Sequence, residues 1–449
     1  MSATAASYAR TTTKQQEPGR FWHTFCDMHT VTRNQKFLVT RAEGVWLWDE
    51  SGDRYLDGTA SLWYCNVGHG RREIADAVHA QMTRLDAYTV YGDFANGPAL
   101  ELGERLAAHA PVIDPRVILT CGGGESIDTA AKLARRYWGV NGQAEKTHLI
   151  SRAGGYHGLH GFGSSIIGME RFRVGFGPLI EDVSVVPHDS VEALEAEILR
   201  VGPERVAAFF AEPVIGAGGV YPPPGPDYFR RVAEVCRRHG VLFIVDSVIC
   251  GFARMGNWFG IERYGVRPDM IVFAKGVSSG YLPLGGVIVS GEIAEPFWDR
   301  PGNPFLHGTT YAGHPACCAA AMANLDILER EDLFTVALEI EAQLDAAVRQ
   351  LADHPMVAEV RAGTGVMAAV ELSAETLDER GITTAEVFAE ARSRGVILRA
   401  VPRALLISPP LIITWEQIDH LVSTLRSALD AVSAAHNGAQ PGTAGVAGG

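Results

Sequence analysis

The sequence predicts an α/β protein: a large domain built on a mostly parallel, doubly wound seven-stranded sheet, with a smaller α+β domain beside it. Three observations predict this. Between about residues 115 and 290, seven short apolar runs rich in β-branched residues alternate with amphipathic stretches. The runs are nearly continuous rather than alternating in and out, which is the pattern of strands covered on both faces. The chain, at 449 residues, is also too long for one ordinary core.

Taken in order, residues 1–20 are small and polar and are expected to be disordered, with no core-forming content. Residues 21–70 form an N-terminal segment that packs with the small domain. Its stretch "RAEGVWLWDESGDRYLDG", from Arg41, reads as a hairpin with a Ser-Gly turn. Residues 71–335 form the large domain. Its strands are expected at Val117–Thr120, His148–Ser151, Val183–Val186, Val206–Ala211, Val241–Val245, Met270–Ala274 and Gly286–Val289, with a helix over Asp227–His239. Residues 336–435 form the small domain, with strands at Val366–Leu372, Val396–Arg399 and Leu405–Ser408 and a last amphipathic helix over Thr414–Ala434. Residues 436–449, "HNGAQPGTAGVAGG", read as a disordered tail.

Composition narrows the function. A net charge of −13, with arginines scattered singly or in pairs, argues against nucleic acid and anionic membranes as partners. The seven cysteines show no C-x-x-C and no zinc spacing, so no metal site is expected and the thiols read as reduced. The N-terminus lacks an apolar signal region, and no apolar run has membrane-spanning length. The expected location is the cytoplasm.

In doubly wound sheets ligands bind beyond the carboxyl ends of the strands. The residues there are Gly122-Gly-Gly-Glu125, Gly155-Tyr-His-Gly158, Glu212-Pro213, Asp246 and Lys275. Glycines between a strand and a helix start expose N–H groups to an anion, although a plain tight turn explains them equally well. Asp246 serves as a metal ligand, a base or a counter-charge to a cationic ligand atom; with no second acid following it, the metal option is weakened. Lys275 is one of only five lysines among 39 basic Lys and Arg residues. An amine in a desolvated crevice loses its proton readily and becomes a nucleophile towards carbonyls. A phosphate cup, a carboxylate for a pyridinium nitrogen, an aromatic ring to stack and an amine together describe a pyridoxal phosphate site.

With these residues in view, the chain resembles the class III aminotransferases of the fold type I pyridoxal phosphate enzymes, and among them the ω-aminotransferases that include β-alanine–pyruvate enzymes. The resemblance covers roughly residues 20–435 and rests on "EGVWLWDESGDRYLDG", "SLWYCNVGHGR", "YHG", "AEPVIGAGGVYPPP", "IVDSVICGFARMG", "FAKGVSSGYLPLGG" and "HGTTYAGHPACCAAAMANL". It implies that Lys275 bonds covalently to the cofactor and then shuttles the substrate proton. It implies that Asp246 keeps the pyridine nitrogen protonated, that Val248 and Tyr156 lie on the two ring faces, and that Gly123 and Gly124 hold the phosphate. Thr310 matches a threonine that reaches the phosphate of a neighbouring subunit, which implies a homodimer with shared sites.

On the substrate side, the resemblance assigns Arg399 to the carboxylate of the keto acid and Trp63 to the wall of the amine pocket, extended by Tyr64, Tyr88 and Tyr91. Arg403 stands close by and leaves the choice of arginine open. Ala217 occupies the position of a glutamate in ornithine and γ-aminobutyrate aminotransferases, which favours pyruvate as acceptor over 2-oxoglutarate. The chain departs from the family at Gly122-Gly-Gly-Glu-Ser126, where Ser-Gly-Ser-Glu-Ala is usual, and at Asp246-Ser-Val248, where Asp-Glu-Val is usual. The expected activity is ping-pong transfer of an amino group from an ω-amino acid, diamine or other primary amine to a keto acid. The alternatives are a racemase or decarboxylase of the same fold, or a non-catalytic relative.

Overall fold

The structure, a computed structural model, describes residues 20–33 and 37–438. Among them, seven strands form the large sheet in the spatial order Arg116–Thr120, Gly285–Val289, Met270–Phe273, Leu242–Asp246, Val206–Ala211, His148–Arg152, Val183–Val186. Neighbours pair in parallel except at Gly285–Val289, which runs antiparallel to both of its neighbours.

Every residue of the five inner strands is buried, which is why they read as unbroken apolar runs. Ile244, Met270, Val272 and Val287 point to one face, where helix Gly123–Val140 lays Ile127, Ala130, Ala131 and Ala134. Phe209, Phe243, Ile271 and Phe273 point to the other, against Phe229 and Val232 of helix Tyr228–His239 and Leu325 of helix Pro315–Arg330. Each such side chain stabilises the fold by roughly 1.5–3 kcal/mol on burial. The result is a rigid platform whose carboxyl edge presents Asp246 and, just past Phe273, Lys275.

Two smaller sheets flank it. Val39–Glu43, Trp46–Asp49 and Arg54–Asp57 form an antiparallel meander whose turn uses Gly52 at φ +86°, with Asp49 Oδ1 accepting from the N–H groups of Ser51 and Asp53. Val396–Ile397 completes this sheet in parallel, placing Val396 opposite Leu56. The other sheet has the order Val357–Arg361, Ala368–Leu372, Ala404–Ile407, Arg399–Ala400.

Two expectations change in detail. The run Val396–Arg399 is not one strand. After Ile397 the chain leaves one sheet, and at Arg399 it joins the other, opposite Leu406. The last helix runs from Trp415 to Gly438, past its expected end at Ala434, so His436–Gly438 are helical rather than tail. The rest of that tail, and residues 1–19, lie outside the described residues. No helix among the described residues is long and apolar enough to cross a membrane.

Candidate active site

A cavity of about 430 Å³ opens at the carboxyl edge of the large sheet. Its wall includes Tyr64, Cys121, Gly122, Gly123, Gly124, Tyr156, His157, Glu212, Asp246, Val248 and Lys275. Strand-end residues separated by more than a hundred positions thus meet in one crevice.

The glycine turn begins helix Gly123–Val140, an 18-residue helix with no side-chain cap at Gly122. Its first amides therefore face the cavity, at the end where the helix dipole favours an anion. Ser126 stiffens the turn: its hydroxyl lies 2.7 Å from Thr120 Oγ1 and donates to the Gly122 carbonyl at 2.9 Å. A Cβ at Gly123 would stand 3.1 Å from Val248, and one at Gly124 would stand 3.2 Å from the His160 ring. These glycines keep a cradle open that larger residues would fill.

Asp246 is 3 % exposed, and both of its oxygens are engaged. Oδ2 lies 2.8 Å from His157 Nδ1, and Oδ1 accepts from Val248 N–H at 3.0 Å. Ser247 is also buried, and its hydroxyl donates to the Phe259 carbonyl at 2.7 Å. The substitution there leaves no unpaired group. Glu212 clamps the neighbouring loops, accepting from Tyr156 N–H at 3.0 Å and Gly216 N–H at 3.1 Å. Burial, with the nearby Asp246 charge adding to it, raises the Glu212 carboxyl above its ordinary range, and His157 works against that rise.

Lys275 occupies the left-handed region at φ +48°, a strained conformation for a residue with a Cβ. The surroundings hold it there. Asn324 donates from Nδ2 to the carbonyls of Gly276 and Val277, each at 2.9 Å. A Cβ at Gly276 would meet Asn66 Nδ2 at 2.7 Å and Phe252 at 2.9 Å. Desolvation lowers the Lys275 amine from its ordinary value; the Asp246 and Glu212 carboxylates oppose the shift and Arg399 adds to it.

Tyr156 is half-buried, and its ring packs against an apolar cluster that holds Trp63, Ala217, Ile249 and Leu406. Trp63 itself is 2 % exposed within that cluster, and Tyr64 forms the cavity wall. Tyr88 and Tyr91 are exposed and do not line the cavity; Tyr91 lines a separate groove with His307 and Gly308. Thr310 is exposed as well, while its neighbour Thr309 places Oγ1 3.5 Å from Cys121 Sγ at the cavity wall. Arg399 has no carboxylate partner among the described residues; burial lowers its guanidinium, Tyr156 opposes the shift, and Arg171 adds to it. Arg403 is half-exposed and faces Glu371 at 3.6 Å and Asp378 at 3.8 Å. The geometry separates the two arginines that the sequence left open.

Sequence reasoning passed over His157 as a partner of Asp246, and Arg171. The first was signalled by its place in Tyr-His-Gly. The second carried no signal: it is a lone arginine that stacks over Phe172 at 4.6 Å, and Phe172 meets the Tyr156 ring edge-on.

The chemistry of this donor set fits pyridoxal phosphate. Free amides stand at the helix start, a buried carboxylate and a desolvated amine lie on adjacent strand ends, and apolar and aromatic walls lie between them. Comparison with known proteins agrees. The family model described as "Aminotransferase class-III" matches residues 28–429. A putrescine–pyruvate aminotransferase of Pseudomonas aeruginosa is 39% identical over 92% of this chain and 94% of its own length. An (S)-enantioselective omega-transaminase from Thermomicrobium roseum superposes with a TM-score of 0.89 at 39% identity, over 93% of this chain and 97% of that one. An amine transaminase from an uncultivated Pseudomonas species, in a PLP-bound form, superposes with a TM-score of 0.89 at 34% identity, over 93% and 100%.

Proposed function

This chain belongs to the class III aminotransferases, enzymes that use pyridoxal phosphate, and from that premise we propose that it moves an amino group from a diamine, ω-amino acid or other primary amine to pyruvate by a ping-pong mechanism. The observation that carries the reading is Arg399, a cation whose charge acts on Tyr156 and Lys275 of the cavity wall and which has no carboxylate partner among the described residues. An α-keto acid supplies that carboxylate in the geometry a guanidinium fork prefers.

Bound in the cradle, pyridoxal phosphate supplies the electron sink for the reaction. Lys275 is the residue that takes the proton from the substrate carbon and returns it, a task that suits an amine whose affinity for protons burial lowers. Asp246 places a negative charge at the pyridine nitrogen and keeps a proton there. Val248 and Tyr156, both on the cavity wall, would hold the cofactor ring and exclude water, and the amides of Gly123 and Gly124 would bind its phosphate. Trp63 and Tyr64 shape the amine side.

Exposed Thr310 supports a homodimer in which each protomer reaches the other's phosphate. In this reading residues 71–335 carry the cofactor, and residues 21–70 with 336–435 carry the substrate side. The seven cysteines are all free, which supports a reducing compartment, the cytoplasm.

The test is a half-reaction. With putrescine or β-alanine alone, the cofactor's visible absorbance is lost with one equivalent of aldehyde or keto product, and pyruvate restores it with one equivalent of alanine. A racemase or decarboxylase would restore no such stoichiometry. A second reading of the acceptor rests on Arg171, whose charge acts on Arg399. Two guanidiniums suit a dicarboxylate, and a kcat/KM for 2-oxoglutarate above that for pyruvate would establish it.

A further inference from the structure

Around the glycine cradle, the cavity wall carries no arginine, and its one lysine, Lys275, is committed to the other end of the cofactor. A phosphate dianion there meets backbone amides but no cationic side chain of that wall. Two ionisable side chains flank the cradle: Glu125, which accepts from Cys121 N–H at 2.8 Å, and His160, an exposed residue just outside the cavity wall. The ring atoms Cγ, Cδ2 and Cε1 of His160 all lie 3.2 Å from the place a Cβ would occupy on Gly124, so the imidazole lies flat over that side of the helix start. A side chain at 124 would crowd this ring and oblige it to shift.

The placement is built into the fold. Gly158, at φ +81°, presses against the Gly124 Cα, where a Cβ on Gly158 would come within 2.9 Å. Beyond His160, Asp128 Oδ1 accepts from Phe162 N–H at 2.9 Å and Gly163 N–H at 3.2 Å, which pins the loop to the same helix. A Cβ at Gly163 would stand 2.5 Å from the His157 carbonyl, so the loop closes tightly. Yet the imidazole makes no hydrogen bond of its own among the described residues; only its backbone carbonyl is engaged, by Ser164 N–H.

We propose that His160 is a phosphate-binding side chain of the cofactor site, donating a ring N–H to the phosphate from the position left open by the absence of a side chain at Gly124. The inference rests on the assignment of Gly123 and Gly124 to the phosphate. Its role is binding and positioning; it touches none of the reacting atoms.

The experiment measures binding of pyridoxal phosphate and of pyridoxal to the cofactor-free protein, with inorganic phosphate as competitor. His160→Phe keeps a ring over Gly124 and removes the N–H. It is expected to weaken pyridoxal phosphate by roughly tenfold to a hundredfold, the range of one charge-assisted hydrogen bond. Pyridoxal affinity is expected to stay within about twofold, the ring packing being unchanged. Competition by inorganic phosphate weakens in parallel, and His160→Gln recovers part of the loss. Gly124→Ser weakens pyridoxal phosphate in the parent, because it displaces the ring it crowds, but improves it in the His160→Ala background. Equal losses for both ligands, or no loss for either, overturn the role of His160. If the unmodified protein shows neither preference for the phosphorylated ligand nor competition by phosphate, the cradle assignment itself falls.

Discussion

His157 Nδ1 lies 2.8 Å from Asp246 Oδ2, with both side chains almost entirely inside the protein. Val248 N–H takes the other oxygen, so the carboxylate cannot rotate. A ring atom approaching Asp246 meets a carboxylate of fixed direction, which predicts that His157 acts through it as a positioning residue. His157→Phe preserves the bulk and loses the bond. It is expected to lower the half-reaction rate about tenfold to a hundredfold, with KM for the amine unchanged and the cofactor's absorption band shifted. An unmoved band would leave His157 as packing only.

The Lys275 amine is held below its ordinary value by burial. In the cofactor-free protein this sets the sign of a pH effect. Between the depressed native value and the ordinary value of 10.5, the unfolded chain binds a proton that the native chain does not. Stability therefore rises with pH across that window, and the full cost of the buried charge is present below it. Lys275→Met removes the cost. Its thermal midpoint is expected to exceed that of the parent at neutral pH, with the gap closing as pH approaches 10.5, while transamination is lost at every pH.

Arg399 and Arg403 differ in what they already hold. Arg399→Ala is expected to reduce kcat/KM for pyruvate by about tenfold to a hundredfold, the value of a bidentate charge-assisted contact. Rates with amines that lack a carboxylate change little. Arg403→Ala breaks only the long, partly exposed contacts to Glu371 and Asp378, so steady-state kinetics with the same substrates should match the parent within about twofold.

Thr310 makes a prediction about complementation. Thr310→Ala and Lys275→Ala are each expected to be defective as homodimers, the first in cofactor retention and the second in catalysis. A mixed dimer places an intact Lys275 opposite an intact Thr310 in one of its two sites. Dialysis of mixed dimers should therefore show half of the sites retaining cofactor as the parent does, with half of its activity. Full defects in the mixture would end the shared-site reading.

Trp63 is buried to 2 % exposure, and its indole N–H has no partner among the described residues. Packing is thus its main contribution. Trp63→Ala should cost about 3–5 kcal/mol in denaturant unfolding, whereas Trp63→Phe should cost less, since no hydrogen bond is lost.

The large sheet was legible because strands covered on both faces spell themselves as apolar runs, and the residues just after four of those runs, Cys121, Glu212, Asp246 and Lys275, line the crevice. Asp246 and Lys275 follow from that rule. Three features did not. The pairing of His157 with Asp246 spans 89 residues and depends on how a loop folds back over a helix start. The left-handed backbone of Lys275 comes from Asn324, Asn66 and Phe252 closing around Gly276, contacts with no local signature. The change of sheet between Ile397 and Arg399 is invisible in a run that reads as one strand, and Arg403 falls in the turn between Arg399–Ala400 and Ala404–Ile407. Tyr88 and Tyr91 failed for the opposite reason: aromatic content marks a surface worth covering, not which cavity it faces.

The pairing of Leu56 with Val396 orders the events of folding. As the chain leaves the ribosome, the large sheet has all seven strands by residue 289, whereas the early meander waits with an open edge until nearly the whole chain is made. Such long-range closure is slow, because the loop entropy is lost before the contact forms. The large sheet can thus assemble first, and the meander is fastened last, by a strand that sets Val396 beside Leu56.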